Sequence, residues 1–249
     1  MAIIGGRAHT IEQIHEVGKL GYPFAEISLK VPEAVERELN ELLRLKQTYG
    51  LYYLAHYPNE GNPADTEALR QRFLPLMKRL FELSAALGIE KGTLHFWMDG
   101  RWITHDLVSR KIELLSEMTG AAGRQGVVLC LENLSERSDT FREAFEAIPE
   151  LRMTLDIGHG QLLARKNTSF EFIENCLPRI AHLHVHDNLG GNSVKDDLHL
   201  PLGEGIVDYP KIFTLLRRKG YKETVTMELP PAAMPATHEK ILKYLEPPS

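Results

Sequence analysis

The sequence predicts a (β/α)8 TIM barrel, built as a single domain that spans residues 1–249. Patterns typical of a strand and of a helix alternate eight times along the chain. This alternation favours a parallel sheet, and eight such units close naturally into a barrel. The alternative is a doubly wound open sheet, but no GxGxxG motif follows the first strand pattern. With 249 residues, 43% of them hydrophobic, the chain can bury one large core.

The strand predictions rest on short apolar runs that stand between helical patterns and turn residues. They cover residues 2–6, 24–29, 51–56, 90–96, 126–133, 153–157, 180–186 and 223–229. In the seventh run, His182, His184 and His186 alternate with Leu183 and Val185. Because residues two apart share a face of a strand, we expect the histidines to point into the barrel and the apolar pair to pack against helices.

A helix is predicted after each strand, from apolar periodicity and from residues typical of helix ends. Thr10 is a candidate capping residue, and Pro32 suits a first helical turn. Gly88, Gly126 and Gly220 stand where helices should stop. The predicted helices cover residues 10–19, 32–49, 66–87, 106–124, 138–147, 169–176, 209–219 and 237–245.

Composition and charge argue against several classes of protein. The formal net charge is −5 and no basic cluster stands out, so a nucleic-acid partner is not favoured. Cys130 and Cys176 form no CxxC motif, which disfavours a disulfide framework or a thiolate zinc site and makes the reducing cytoplasm the expected location. No apolar stretch approaches the length of a membrane span. The oligomeric state is not predicted.

Acidic and imidazole side chains recur at the carboxyl ends of the predicted strands, the end of a TIM barrel that carries its active site. A further three follow the sixth and seventh runs closely, in DIGH and DDLHLPLGEG. The candidate metal ligands are His56, His95, Glu132, Asp156, His159, His184, Asp197, His199 and Glu228. Imidazole and carboxylate without thiolate suit ions such as zinc or manganese. Nine ligands are too many for one ion, so we predict one to three divalent metal ions.

Two kinds of chemistry remain open from the residues alone. Several ions together fit in-line displacement at phosphorus, where one ion activates the nucleophile and others hold the leaving oxygen. Fewer ions with paired glutamates fit proton transfer next to a carbonyl through a metal-stabilised enediolate. A barrel that binds metal or sugar without turnover is the third alternative.

The motifs LENL, LDIGH, LHVHDN, DLHLPLGEG and MELP resemble the xylose isomerase-like barrel superfamily (AP endonuclease family 2). It contains endonuclease IV and many sugar phosphate isomerases and epimerases. The resemblance covers nearly the whole chain and is strongest from Leu129 to Pro230. It implies that the four-ligand core of the epimerases falls on Glu132, Asp156, His184 and Glu228. It also implies that all nine ligands of the trinuclear zinc cluster of endonuclease IV are matched by type.

Two departures from these relatives bear on the reaction. The stretch SLKVPE, after the second strand, has no counterpart of the arginine and aromatic residues with which endonuclease IV enters abasic DNA. The stretch Asn188–Val194 lacks the arginine that the epimerases carry after the seventh strand. The resemblance therefore implies a sugar or sugar-phosphate isomerase or epimerase, with an endonuclease IV-like phosphodiester hydrolase as the alternative.

The resemblance also implies roles for individual residues. Glu132 and Glu228 are expected to act as acid and base, while His159 or His186 orients the sugar. Glu26 and Trp97, with His186, are the residues that we expect to contact substrate.

Overall fold

In the computed structural model, which describes residues 1–245, eight parallel strands close into a barrel in sequence order. Each strand pairs with its neighbours along the chain, and the first pairs with the last. The strands are β1 Ile3–Ala8, β2 Phe24–Ser28, β3 Tyr52–His56, β4 Lys91–Leu94, β5 Val128–Glu132, β6 Arg152–Asp156, β7 Ile180–Val185 and β8 Thr224–Met227. The predicted (β/α)8 barrel is confirmed. Residues 246–249 of the predicted domain lie outside the described residues.

Helices follow the strands as the sequence predicts. They are α1 Ile11–Lys19, α2 Pro32–Tyr49, α3 Thr66–Ala68, α4 Leu74–Ala86, α5 His105–Arg124, α6 Ser138–Ala147, α7 Ser169–Cys176, α8 Tyr209–Arg218 and α9 Met234–Leu245. The Thr10 hydroxyl accepts the backbone N–H of Gln13 and so caps α1. The predicted helix 66–87 is interrupted by a π-helical turn, Leu69–Phe73, directly before α4. Pro75 explains the interruption, since it has no N–H to donate and its ring crowds the preceding turn.

The inner and outer faces of the strands differ in chemistry, and β7 shows this clearly. Leu183 and Val185 are buried in the hydrophobic core between the sheet and the helices. His182 lies inside the barrel, where its ring contacts Glu26 and Thr224. No helix within residues 1–245 is long and apolar enough to cross a membrane.

The register of the strands brings the candidate ligands to one height. Asp156, the last residue of β6, pairs with His184 of β7. His184 in turn pairs with Thr226, two residues before Glu228. His95 and Glu228 lie just beyond the ends of β4 and β8, where the loops begin. The candidate ligands therefore converge at the carboxyl-terminal mouth of the barrel.

Candidate metal centre

The nine candidate ligands and His186 make up three adjoining sets at the mouth, which are three of the five groups of described residues that could hold a metal ion. Within each set, one nitrogen or oxygen atom per residue lies within 4.8 Å of the others. The core set is Glu132, Asp156, His184 and Glu228; the His95 set is His56, His95 and Glu132; the His199 set is His159, His186, Asp197 and His199. Glu132 belongs to two sets, so one carboxylate joins them. His186, which we expected to contact substrate, lies in the His199 set.

In the core set, one imidazole faces three carboxylates. His184 Nδ1 lies 2.9 Å from Glu132 Oε1, 3.5 Å from Glu228 Oε1 and 3.9 Å from Asp156 Oδ2. On its other side, His184 Nε2 lies 2.9 Å from Glu26 Oε2. Burial opposes protonation of His184, but the surrounding carboxylates, Glu228 foremost, raise its pKa well above the ordinary value. Three buried carboxylates around one imidazole carry excess negative charge, which a bound cation would offset.

In the His95 set, two imidazoles turn their Nε2 atoms toward one carboxylate. His56 Nδ1 lies 3.1 Å from the carbonyl oxygen of Tyr57, and His95 Nδ1 lies 3.0 Å from Asn59 Oδ1. Their Nε2 atoms lie 3.6 Å and 2.7 Å from Glu132 Oε2. Despite the 2.7 Å approach, neither His95 Nε2 nor Glu132 Oε2 has a hydrogen-bond partner within residues 1–245. Two buried polar atoms without a hydrogen-bond partner fit a cation that both could bind.

In the His199 set, a carboxylate from the loop after β7 joins three imidazoles. Asp197 Oδ2 lies 3.1 Å from both His159 Nε2 and His199 Nε2, and Asp197 Oδ1 lies 3.7 Å from His186 Nε2. His186 Nε2 also lies 3.1 Å from Asp156 Oδ1, so this set adjoins the core set. His199 has a φ of 47°. A backbone held in the left-handed region at a residue other than glycine indicates that the loop is constrained to place this imidazole at the mouth.

Five imidazoles share one arrangement that suits metal ligation. In each ring Nδ1 lies within 3.4 Å of a backbone carbonyl or side-chain amide oxygen, and Nε2 is directed toward carboxylates; the five are His56, His95, His159, His186 and His199. An Nδ1–H donated to such an oxygen leaves the Nε2 lone pair free. Metal-binding histidines are commonly oriented in this way.

The donor atoms fit divalent cations such as zinc or manganese, because they are imidazole nitrogens and carboxylate oxygens. The buried Asp197 Oδ1 also lacks a hydrogen-bond partner among the described residues, which is a further open coordination position. Cys130 is not a suitable ligand, since burial raises the pKa of its thiol to about 12 and keeps the proton on sulfur.

Of the residues predicted to contact substrate, Trp97 is the one that lines a cavity. Its backbone N–H donates to Glu60 Oε1 at 2.8 Å, and its indole N–H donates to Ser135 Oγ at 3.0 Å. These two bonds fix the ring beside a cavity of about 740 Å³ that His159 and Asp197 also line. A second cavity, of about 550 Å³, opens over the ligand sets and is lined by the same two residues. The two cavities therefore meet at the His199 set.

Glu26 lies one layer below the mouth rather than in a cavity wall. Its carboxylate is fully buried and lies 3.0 Å from His182 Nε2 and 2.9 Å from His184 Nε2. Burial opposes its ionisation, but these two imidazoles hold the pKa of Glu26 well below the ordinary value. Glu26 therefore supports His184 from behind.

Arg7 is a site residue that the sequence did not reveal. It lies near the end of β1, is 4% exposed, and places Nε 3.3 Å from Glu228 Oε1. The prediction ended this strand at residue 6, so Arg7 fell outside it. The signal was a lone charged residue directly after the apolar run IIGG.

The chain is similar to proteins of known fold over nearly its whole length. The family model described as xylose isomerase-like TIM barrel matches residues 14–246. The uncharacterized protein MJ1311 of Methanocaldococcus jannaschii is 26% identical over 229 residues, which cover 84% of this chain and 75% of that protein.

Two solved structures show the same architecture. A D-tagatose 3-epimerase-like protein has a TM-score of 0.81 at 22% identity, covering 98% of this chain and 97% of that one. An L-ribulose 3-epimerase has a TM-score of 0.80 at 17% identity, covering 99% of this chain and 95% of that one. At such identities the likeness establishes the fold alone.

Proposed function

This chain belongs to the xylose isomerase-like TIM barrel family, and from that premise we propose that it is a metal-dependent isomerase or epimerase of a sugar or sugar phosphate. The observation that carries the proposal is the core set, in which two buried glutamates, from different strands, stand with Asp156 and His184. The names of a D-tagatose 3-epimerase-like protein, an L-ribulose 3-epimerase and a D-psicose 3-epimerase of the same fold support a ketose as the substrate.

The core set would hold the first of one to three divalent ions, zinc or manganese, and the His95 and His199 sets would hold any further ones. Bound there, such ions would supply positive charge that stabilises negative charge on adjacent substrate oxygens. The ligands themselves must be deprotonated for this, so cation binding and proton release are coupled.

Glu132 and Glu228 move the proton at the substrate carbon next to the carbonyl. Burial and the neighbouring Glu132 oppose ionisation of Glu228, but His184 and Arg7 lower its pKa to about 2, so it is ionised at neutral pH, the form that a general base requires. His159, whose Nδ1 is held 3.0 Å from a carbonyl oxygen, orients a sugar hydroxyl where the two cavities meet. Trp97 packs against the sugar on the side of the larger cavity.

A second candidate function, hydrolysis of a phosphodiester with up to three zinc ions, is favoured by the position of Glu132. Its Oε1 lies 2.9 Å from His184 Nδ1, and its Oε2 lies 2.7 Å from His95 Nε2. If both oxygens bind cations, Glu132 cannot also accept a proton from a sugar. The isomerase therefore requires that one oxygen of Glu132 stay free of cations, whereas the hydrolase does not.

The test is deuterium exchange during incubation of metal-loaded protein with D-tagatose, D-psicose, L-ribulose and the phosphate esters of these sugars in D2O. The proposal predicts incorporation next to the carbonyl, which Glu228→Gln slows by roughly 10² to 10⁴-fold. The matched control is Glu136→Gln, because Glu136 is buried and accepts backbone N–H groups of nearby loops. Three ions per chain, cleavage of an abasic-site duplex and no deuterium in any sugar would establish the hydrolase instead.

A further inference from the structure

The wall of the 550 Å³ cavity carries positive charge on the side formed by β1 and β2. Arg7, His9, Gln13 and Lys30 line this side. The carboxylates that line the same cavity, Asp197 and Glu228, both belong to the ligand sets. Apart from the candidate metal ligands, the charged side chains that line this cavity, Arg7 and Lys30, are therefore positive.

Arg7 is held rigidly with N–H groups to spare. Its Nη1 donates to the carbonyl oxygen of Glu26 and its Nη2 to Ser28 Oγ, both at 3.0 Å, while Nε faces Glu228. A guanidinium has five N–H groups, so two remain for another acceptor. Because Glu228 is also a candidate metal ligand, cations bound to it would offset the charge that balances Arg7. The buried guanidinium would then need a second anion.

Ser28 links Arg7 to His9, since its hydroxyl also lies 3.1 Å from His9 Nδ1. Lys30 lines the same cavity as Arg7 and His9. The exposed Lys30 ammonium forms no ion pair with the described residues. Three nitrogen-bearing side chains thus line one side of the cavity, and Glu228 is the carboxylate that contacts Arg7.

We propose that Arg7, His9 and Lys30 form a subsite for a phosphate group, so that the substrate is a phosphorylated sugar. The inference rests on the proposed function, whose ligand sets would hold the sugar end in the same cavity. Three separate donors suit the three acceptor oxygens of a phosphate monoester better than the two of a carboxylate. Gln13, in the first turn of α1, also lines the cavity, so the positive end of that helix adds to the attraction.

Phosphate binding tests the subsite without any need for turnover. Inorganic phosphate is titrated into zinc- or manganese-loaded protein by calorimetry, with acetate as the carboxylate probe. Lys30→Gln is expected to weaken phosphate binding by roughly fivefold to tenfold, since a partly exposed charge-assisted hydrogen bond is lost, and to leave the metal content unchanged. His9→Ala is expected to weaken it as well. The matched control is Lys195→Gln, because Lys195 is exposed on the loop after β7 and does not line the cavity.

The outcomes separate the subsite from the proposed function. Equal phosphate affinity in wild type and Lys30→Gln would mean that the cations alone hold phosphate, and the subsite would be rejected. The same conclusion follows if acetate binds as tightly as phosphate, or if wild type binds neither. If phosphate binding requires Lys30 while neither the sugars nor their phosphate esters exchange deuterium, the subsite stands and the isomerase proposal fails. If sugars exchange deuterium but phosphate binds Lys30→Gln as tightly as wild type, only the subsite fails.

Discussion

The carboxylate of Glu26 touches none of the cavity space, yet we expect its charge to set the metal affinity of the core set. Glu26 Oε2 lies 2.9 Å from His184 Nε2, while His184 Nδ1 faces the three core carboxylates. The negative charge of Glu26 keeps the proton of the ring on Nε2 and makes Nδ1 a better donor to a cation. Glu26→Gln preserves the shape of the side chain and removes this charge.

The size of the effect follows from the contact that is lost. A hydrogen bond to a charged group contributes roughly 1.5–3 kcal/mol. Because about 1.4 kcal/mol corresponds to a tenfold change in a dissociation constant, Glu26→Gln should weaken binding of the first cation by roughly tenfold to a hundredfold. Supporting carboxylates behind metal-binding histidines show effects of this order.

The assay is competition of the metal-free protein with a chromophoric chelator for zinc or manganese. Glu136→Gln is the control, since Glu136 is equally buried and contacts backbone N–H groups of loops instead of an imidazole. Thermal unfolding of both variants shows whether each remains folded. An unchanged dissociation constant in folded Glu26→Gln protein would refute the reasoning, and equal weakening in both variants would show a general loss of order.

Three further predictions follow from the ligand sets and the loops that carry them. Burial opposes protonation of His199, but Asp197 and other carboxylates raise its pKa to about 9. Because the proton must leave before a cation binds, metal affinity measured from pH 6 upward should rise until about pH 9. A flat profile of affinity against pH would count against His199 as a ligand. Gly158→Ala should lower the metal content, and should lower the free energy of unfolding by about 1–3 kcal/mol. The reason is that a Cβ there would lie 2.1 Å from a ring carbon of His186. Normal metal content by elemental analysis of that variant would be the contrary result. Asp187→Ala should lower the free energy of unfolding by about 3 kcal/mol, because this buried carboxylate accepts three backbone N–H groups of the loop after β7. A change below about 1 kcal/mol in denaturant unfolding would contradict this prediction.

The sequence predicts the barrel well because the pattern of each strand and helix is local. Every predicted strand overlaps an observed one, and the residues that end the apolar runs, such as His56 and Asp156, end strands in the structure. The convergence of these side chains then follows from the topology of a parallel barrel, whose strands all end at the same mouth.

The height of a residue inside the barrel depends on how its strand pairs with the neighbouring strands, so the position of Glu26 could not be predicted from its own strand. Glu26 pairs with Leu54, whereas Ser28 pairs with His56, so Glu26 lies two residues below the level of the ligands. The stagger between strands sets this level, and one strand read alone does not reveal it.

Two other features depend on contacts between distant segments. Arg7 was missed because two glycines precede it and weaken the strand pattern at the end of β1. The grouping of His159 with Asp197 and His199 needs the loop after β7 to fold over the end of β6, which spacing along the chain does not specify. His186 joins the same set only because β7 places it beside Asp156.

The central claim is that the acids and imidazoles at the mouth bind divalent cations. The most direct measurement is elemental analysis of protein purified without added metal, for wild type and for Glu132→Ala, which removes the carboxylate shared by the core and His95 sets. The account predicts at least one zinc or manganese ion per chain in wild type and a marked loss in Glu132→Ala. Wild-type protein without any divalent transition metal, together with equal metal uptake by both proteins, would contradict it.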